Sequence, residues 1–170
     1  ETDDWYVDEH LPDRIDTGGY LRARRYRALQ GAPGYLSTFE ATTPEALASE
    51  GYLSLVRRIS PQSQRIRAGF SNVARNTFRV RATAGRGVGA VLASYRLKAD
   101  GRAGMAEMDA YAAALLQQRG VVGVHWLEAA PDVRRSMDAV RAVGQADALV
   151  DHALLIETTR EAEADALRGT

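Results

Sequence analysis

The chain has 170 residues, 45% hydrophobic and 26% charged, a balance that suits one compact domain or two small ones and excludes a disordered chain. No apolar run approaches the roughly 20 residues that cross a bilayer, and no basic segment leads into an apolar leader core, so a cytoplasmic protein with no membrane partner is expected. The 22 basic and 22 acidic side chains cancel, and the lack of cysteine removes disulfides, thiolate metal sites and thiol nucleophiles.

Residues 3–11 read as a short helix, with Tyr6 and His10 one turn apart and Pro12 ending or kinking it. Residues 19–29 alternate as a strand, Leu21, Ala23, Arg25 and Arg27 on one face and Tyr20, Arg22, Arg24 and Tyr26 on the other. A turn at residues 31–34 leads to a second strand at 35–41, which runs into Thr42-Thr43-Pro44-Glu45, a capping-box spacing. That box predicts a helix to about Arg58, interrupted near Gly51. Residues 65–82 read as extended, residues 84–87 as flexible, and 88–97 as another strand that Gly101 breaks. The spacing of Met105, Met108, Ala112 and Leu115 predicts a helix over 104–120, stopped by Gly120. A strand at 121–129, an amphipathic helix at 132–143, a strand at 148–158 and a helix from about Arg160 complete the chain.

The two halves echo each other. Gly19-Tyr20-Leu21 matches Gly120-Val121-Val122, and STFEATTPEA at 37–46 is repeated as LLIETTREA at 154–162, each copy with a strand, a glutamate and a capping box (Thr42 with Glu45, Thr158 with Glu161) in the same order. Each copy reads helix, strand, strand, helix, with a further strand flanking it, which is the split βαββαβ order of a ferredoxin-like unit. Residues 1–83 are expected to form one repeat that lacks its initial strand, and residues 88–170 a second that lacks its final one. The expected fold class is α+β, with tandem ferredoxin-like repeats whose antiparallel sheets form an α/β barrel, either within the chain or across a homodimer. On this expectation the intact protein has ends beyond those of this chain, or ends that are disordered.

WYVDEHLPDR at 5–14, GYLRARRYRAL at 19–29 and PGYLSTFEATTPEAL at 33–47 resemble the dimeric α/β-barrel superfamily, in particular EthD-like and uncharacterised tandem members whose first helix carries W-Y-x-x-E-H-x-P. The resemblance covers residues 5–58 well and 88–166 in outline. It implies two four-stranded sheets packed into a barrel around a cavity, and a range of activities that includes cofactor-free monooxygenases, muconolactone isomerases, polyketide cyclases and haem-handling enzymes, so it narrows architecture more than function.

Imidazole titrates near neutrality, which makes His10 the first candidate base, with Tyr6 one turn before it as hydrogen-bond partner; in EthD-like and cyclase relatives a histidine in this region often faces the cavity. The plainer role for His10 is to close the helix ahead of Pro12, and for Trp5 and Tyr6 to pack in a core. His125 and Trp126 take the places of Arg24 and Arg25 in the second copy, and His152 follows on the next strand. These histidines lack metal-ligand spacing, and no serine lies in a nucleophile elbow.

Residues 51–106 hold 11 basic side chains and one acid, Asp100, and Lys98 is the only lysine in the chain. Planar guanidinium forks suit carboxylates, phosphates or aromatic faces. Interleaving with Phe70 and Phe78 resembles an RNA-binding surface, but pairing with acids of the first helix accounts for it more simply, and no nucleic-acid partner is expected. Arg75 with Asn72 or Asn76 is an alternative anchor for an anionic substrate group. The expected function is a cofactor-independent acid–base enzyme of cyclase or isomerase type acting on a small hydrophobic carbonyl compound. His10 and Tyr6 would act with Arg25 or Arg75 on developing oxyanion charge, and Trp5, Asn72, Asn76, His125 and Trp126 would line the substrate side. The alternative is a non-catalytic ligand-binding or assembly protein.

Overall fold

Two compact units organise the chain, Glu1–Arg75 together with Pro131–Ala148 and Asn76–Ala130 together with Leu149–Thr170, in a computed structural model that describes residues 1–98, 105–138 and 150–169. The first division falls ahead of the expected junction at residues 83–88, because the strand there pairs within the second unit's sheet.

The first unit opens with a nearly continuous helical stretch: α1 (Thr2–Trp5), a π turn over Tyr6–His10, and α2 (Pro12–Asp16). Pro12 does not end the helix. Leu11 N–H donates to Tyr6 O at 2.9 Å, five residues back, and this wide turn makes room for the proline ring, whose missing N–H costs nothing in the first turn of α2. Trp5 and Tyr6 bury against Ile66, with Leu11 alongside.

Alternating side chains build β1 (Tyr20–Arg27) and β2 (Tyr35–Ala41), an antiparallel hairpin with Arg25 opposite Ser37. Among the described residues no other strand joins it. The capping box expected at Thr42 and Glu45 does not form, since the Thr42 hydroxyl donates to Gly19 O at 3.2 Å and Pro44–Ala48 make a 3-10 turn. The helix proper, α3 (Glu50–Arg57), starts where Ser49 Oγ accepts the Tyr52 N–H at 3.3 Å, which puts the interruption expected near Gly51 at Ser49. α3 seals Tyr52 against Tyr20, with Phe39 and Leu53 at the margin.

Residues 61–68 correct a second expectation, for they form α4 (Pro61–Ala68) rather than extended chain. Ser60 caps it by accepting the Ser63 N–H at 2.9 Å, and Pro61 supplies the preset φ of a first helical residue. α6 (Pro131–Asp138) returns to this unit and packs on the 3-10 turn.

The second unit contains β3 (Phe78–Gly85), β4 (Val91–Leu97), α5 (Met105–Leu116), β5 (Val121–Ala129), β6 (His152–Thr158) and α7 (Glu161–Ala166). Its four strands pair antiparallel in the order β3-β5-β6-β4, so that β4, α5 and β5 form a crossover with β6 between, the split β-α-β arrangement. One face carries Val124, Trp126, Leu154 and Ile156 and is covered by Ala112 and Leu115 of α5 and by Leu167. Burying an aliphatic side chain of this size contributes roughly 2 kcal/mol, which makes this face the main source of the unit's stability.

β3 and β4 lie at opposite edges of the sheet, so residues 86–90 must cross its end. The crossing is strapped down rather than flexible: Gly87 N–H donates to Val122 O at 3.1 Å and Gly89 N–H to Glu157 Oε2 at 2.6 Å. A Cβ at Gly89 would lie 2.4 Å from Thr158 O, so only glycine allows this approach.

The described strands therefore make a two-stranded and a four-stranded antiparallel sheet in an α+β protein, and they close no barrel. No helix among the described residues is long and apolar enough to cross a membrane. The expected break at Gly101, the helix start at 104, the helix extension over 139–143 and the strand start at 148–149 lie outside the described residues.

Candidate functional site

The structure gathers Trp5, Tyr6, His10 and Arg25, four of the expected site residues, and commits most of them to packing. The His10 ring centroid lies 4.2 Å from Trp5, 4.7 Å from Tyr6 and 5.8 Å from Phe39, inside an aromatic nest. Trp5 has no exposed surface, and its indole N–H donates to Ser63 Oγ at 3.0 Å. The Arg25 guanidinium carbon sits 3.6 Å from the Tyr6 ring centroid and 4.2 Å from that of Tyr35, and the same group pairs with Asp3 at 2.7 Å. Asp3 is well exposed, so that ion pair is worth under about 1 kcal/mol, whereas desolvated stacking on an aromatic face reaches about 2 kcal/mol. Arg25 is thus chiefly a clamp between two tyrosines.

Glu9 anchors the same helix from below the nest. Its Oε1 accepts from Ser60 Oγ at 2.7 Å and Ser63 Oγ at 2.5 Å. Burial pushes this carboxyl upward, but hydrogen bonding from Ser63, Ser60 and Trp5 together with the Arg67 charge holds the group below the ordinary glutamate range.

The residues of the alternative anchor are divided between the two units. Arg75 belongs to the first unit, and its carbonyl accepts from Arg134 Nη1. Asn76 belongs to the second, where its Oδ1 accepts the Val150 N–H at 3.0 Å. Asn72 is exposed, with a left-handed φ of 52°.

In the second unit Trp126 turns to the helix-covered face and stacks on His152, ring centroids 4.9 Å apart and planes 16° from parallel. His125, its neighbour in sequence, projects from the other face because strand side chains alternate. Cross-strand pairing aligns it with Thr83 of β3 and Leu155 of β6, and one row along sit Glu157 and Leu92. His125 Nδ1 is 3.2 Å from Thr83 Oγ1, and its Nε2 is 3.3 Å from Glu157 Oε1. Glu157 is 4% exposed, and its second oxygen accepts the Gly89 N–H.

An ionised Glu157 only accepts, so in that state Nε2 carries the proton and the Nδ1 lone pair faces the Thr83 hydroxyl. Hydroxyl, imidazole base and orienting carboxylate stand in line, the relation that lets a histidine accept a proton while its opposite nitrogen is held. His125 was expected only among substrate-lining residues, and neither Thr83 nor Glu157 was singled out for chemistry. The available signal was the strand parity that sets His125 opposite Trp126, together with the glutamate repeated in both halves.

Two depressions lie elsewhere. A shallow one of about 530 Å³ in the first unit is lined by Asp13, Asp16, Thr17 and Arg58 among others; one of about 360 Å³ on the helix-covered side of the second is lined by Tyr95, Tyr111, Leu154 and Arg168 among others. Neither contains an expected site residue or a member of the array, whose place on an open sheet face makes no enclosed hollow by itself. Among the described residues no three His, Asp or Glu side chains converge as metal ligands. Comparison with protein-family models, with curated proteins and with solved structures finds no match to this chain.

Proposed function

We propose that the chain is a cofactor-independent acid–base enzyme of cyclase or isomerase type, acting on a small hydrophobic carbonyl compound at the open face of the second unit's sheet. One observation carries the reading: a buried carboxylate holds one nitrogen of His125 while the other meets a hydroxyl at 3.2 Å. The base expected at His10 is reassigned to His125, because His10 lies among Trp5, Tyr6 and Phe39, whereas His125 keeps 26% of its side-chain surface in solvent. Glu157 orients the imidazole and stabilises the cation formed when Nδ1 takes a proton. Thr83 marks the place of the proton donor, whether its own hydroxyl relays the proton or a substrate displaces it. Leu92 and Leu155, in the same cross-strand rows, supply the apolar contact a hydrophobic substrate needs.

The split β-α-β order of the second unit supports the likeness to dimeric α/β barrels, and on that reading a second copy of the chain covers this face, closing the cavity in a cytoplasmic homodimer. The test is solvent exchange. A panel of enolisable ketones, β-keto acids and phenolic acids is incubated with the protein in D₂O, and deuterium incorporation next to the carbonyl is followed by NMR. Incorporation above buffer that His125→Ala reduces by roughly 10²–10⁴-fold supports acid–base chemistry at this residue. No incorporation across the panel, or incorporation unchanged in His125→Ala, refutes it.

A further inference from the structure

α7 doubles back over β6 and β4, and with the 3-10 turn Leu167–Gly169 that follows it is too short to cover them. Six α-helical and three 3-10 residues span about 15 Å, against about 23 Å for the seven residues of β4. Leu167 reaches the core cluster, and beside it a hollow of about 360 Å³ remains on the helix-covered face of the sheet. Its floor is Tyr95 and Leu97 of β4 with Leu154 of β6; α5 adds Met108 and Tyr111, and the turn adds Arg168. All of these residues belong to the second unit.

The lining is apolar with a few polar tips, the composition of a small-molecule site. Leu97 and Tyr111 stay 36% and 44% exposed, and an apolar ligand takes that surface out of water. An apolar cavity of about 150 Å³ holds benzene, so this hollow suits a body of one or two rings, or a chain of similar bulk. The polar tips set the charge it prefers. Arg168 is a fork of donors that keeps its proton, and its pair with Asp165 at 3.5 Å joins side chains 54% and 44% exposed. A pair of that kind is worth little, so a carboxylate exchanges for it at small cost. Burial pushes the Tyr95 phenol above its ordinary value, with the Arg168 charge working against the shift, and the group stays a neutral donor. One guanidinium beside two phenols matches a single negative charge, which favours a carboxylate over a phosphate dianion.

We propose that this hollow binds a small apolar carboxylic acid, its ring or chain packed against Leu97, Met108 and Leu154 and its carboxylate held by Arg168, with a tyrosine hydroxyl of the lining as a second donor. The site is separate from the His125 array, because strand side chains alternate: β6 gives Leu154 and Ile156 to the helix-covered face and Glu157 to the other.

The test uses the full chain, titrated with 2-naphthoate and separately with its neutral isostere 2-naphthamide, while methionine methyl NMR signals and the melting temperature are followed. The chain has three methionines, and Met108→Leu assigns the signal of the one in the lining. A saturable shift at Met108 with Kd below about 1 mM is expected for the acid. The amide should bind about tenfold more weakly, since it forfeits a charge-assisted hydrogen bond. Arg168→Met should bring the acid down to the affinity of the amide and leave the amide unchanged. Leu97→Trp, which fills the hollow from a partly exposed position, should abolish binding of both. No saturable shift with the acid, equal affinity for acid and amide, acid binding unchanged in Arg168→Met, or parent-like binding in a folded Leu97→Trp overturns the proposal. If Leu97→Trp does not fold, Arg168→Met, at an exposed position, decides alone. Binding here is read without any turnover, so the result is independent of the chemistry assigned to His125.

Discussion

Two antiparallel strand pairs, the hairpin β1–β2 and the pair β5–β6 whose strands are joined through α6, share one backbone plan and put it to different uses. Each begins after a glycine in the left-handed region, Gly19 at φ +82° and Gly120 at φ +79°, whose carbonyl accepts a threonine N–H, from Thr42 at 2.8 Å and Thr159 at 2.9 Å. Both strand pairs slip register after the first residue pair, which places Glu40 opposite Arg22 in one and Glu157 opposite Gly123 in the other. In both, the residue two positions along β1 or β5 reaches back to that glutamate: Arg24 Nη2 lies 3.9 Å from Glu40 Oε1, and His125 Nε2 lies 3.3 Å from Glu157 Oε1. The surroundings differ. Glu40 keeps 41% of its side-chain surface and Glu157 6%: β2 pairs with β1 alone among the described strands, whereas β6 lies between β5 and β4, with Leu92 opposite Glu157 and the Gly89 N–H donating to it. Glutamates at matching positions thus face a guanidinium in one pair and an imidazole in the other, and only the second glutamate is buried.

If that difference is functional, truncating the two basic residues should have opposite consequences. His125→Ala should lower the rate of carbonyl-linked proton exchange by roughly 10²–10⁴-fold, while Arg24→Ala should leave it within about twofold. Equal losses would show that the comparison concerns folding and not chemistry. The next largest effect is expected at the crossing. Gly89→Ala drives a methyl group against the Thr158 carbonyl and pulls the N–H away from Glu157, at a cost of about 3 kcal/mol in urea unfolding. Gly31→Ala, left-handed with open space around it, should cost about 1 kcal/mol for its backbone alone.

The strands of both pairs were legible because alternation and turn residues are local. So was the repeat, whose glycine, glutamate and threonine recur in order and take up matching geometry. Residues 65–68 read as extended because Arg65, Arg67 and the arginines from Arg75 onward mimic an alternating strand, whereas the structure starts α4 at the Ser60 cap and Pro61. The array was not legible for a different reason. Thr83, His125 and Glu157 are separated by 42 and 32 residues, and they meet only once β3 is known to pair with β5 and a one-residue slip is placed in each pairing. A slip in the other direction would turn any one of them to the opposite face.

Burial should also separate the two glutamates in stability. Glu157→Gln exchanges a carboxylate that accepts from the Gly89 N–H for an amide that must offer an N–H to one of its neighbours, and a loss of about 1–3 kcal/mol is expected. Glu40→Gln breaks only the exposed pairs with Arg22 at 3.1 Å and Arg24, so its effect should stay under about 1 kcal/mol and shrink further in 1 M salt. Paired urea titrations at low and high salt read both numbers; a salt-sensitive loss at Glu157 would mean that its shelter has been overstated.

The smallest effect tests whether shelter, rather than strand position, is what makes a glutamate matter. Glu9 lies in the first unit, outside the paired strands, yet it is held by Ser60 and Ser63 much as Glu157 is held by Gly89 and His125. Burial pushes its carboxyl up, and those hydrogen bonds, with Trp5 and the Arg67 charge, bring it below the ordinary range. A carboxyl depressed in the folded state binds fewer protons there than in the unfolded chain, so its stabilisation is fully present above the unfolded value of 4.5 and is lost as pH falls through the lower folded value. Glu9→Gln should therefore cost up to about 1 kcal/mol at pH 7, and the gap between parent and variant should narrow steadily below pH 4.5. Glu40→Gln, exposed in its hairpin, serves as the reference. If the Glu9 gap held constant through acid, hydrogen bonding would not be what holds that carboxylate, and the parallel between the sheltered glutamates of the two units would fail.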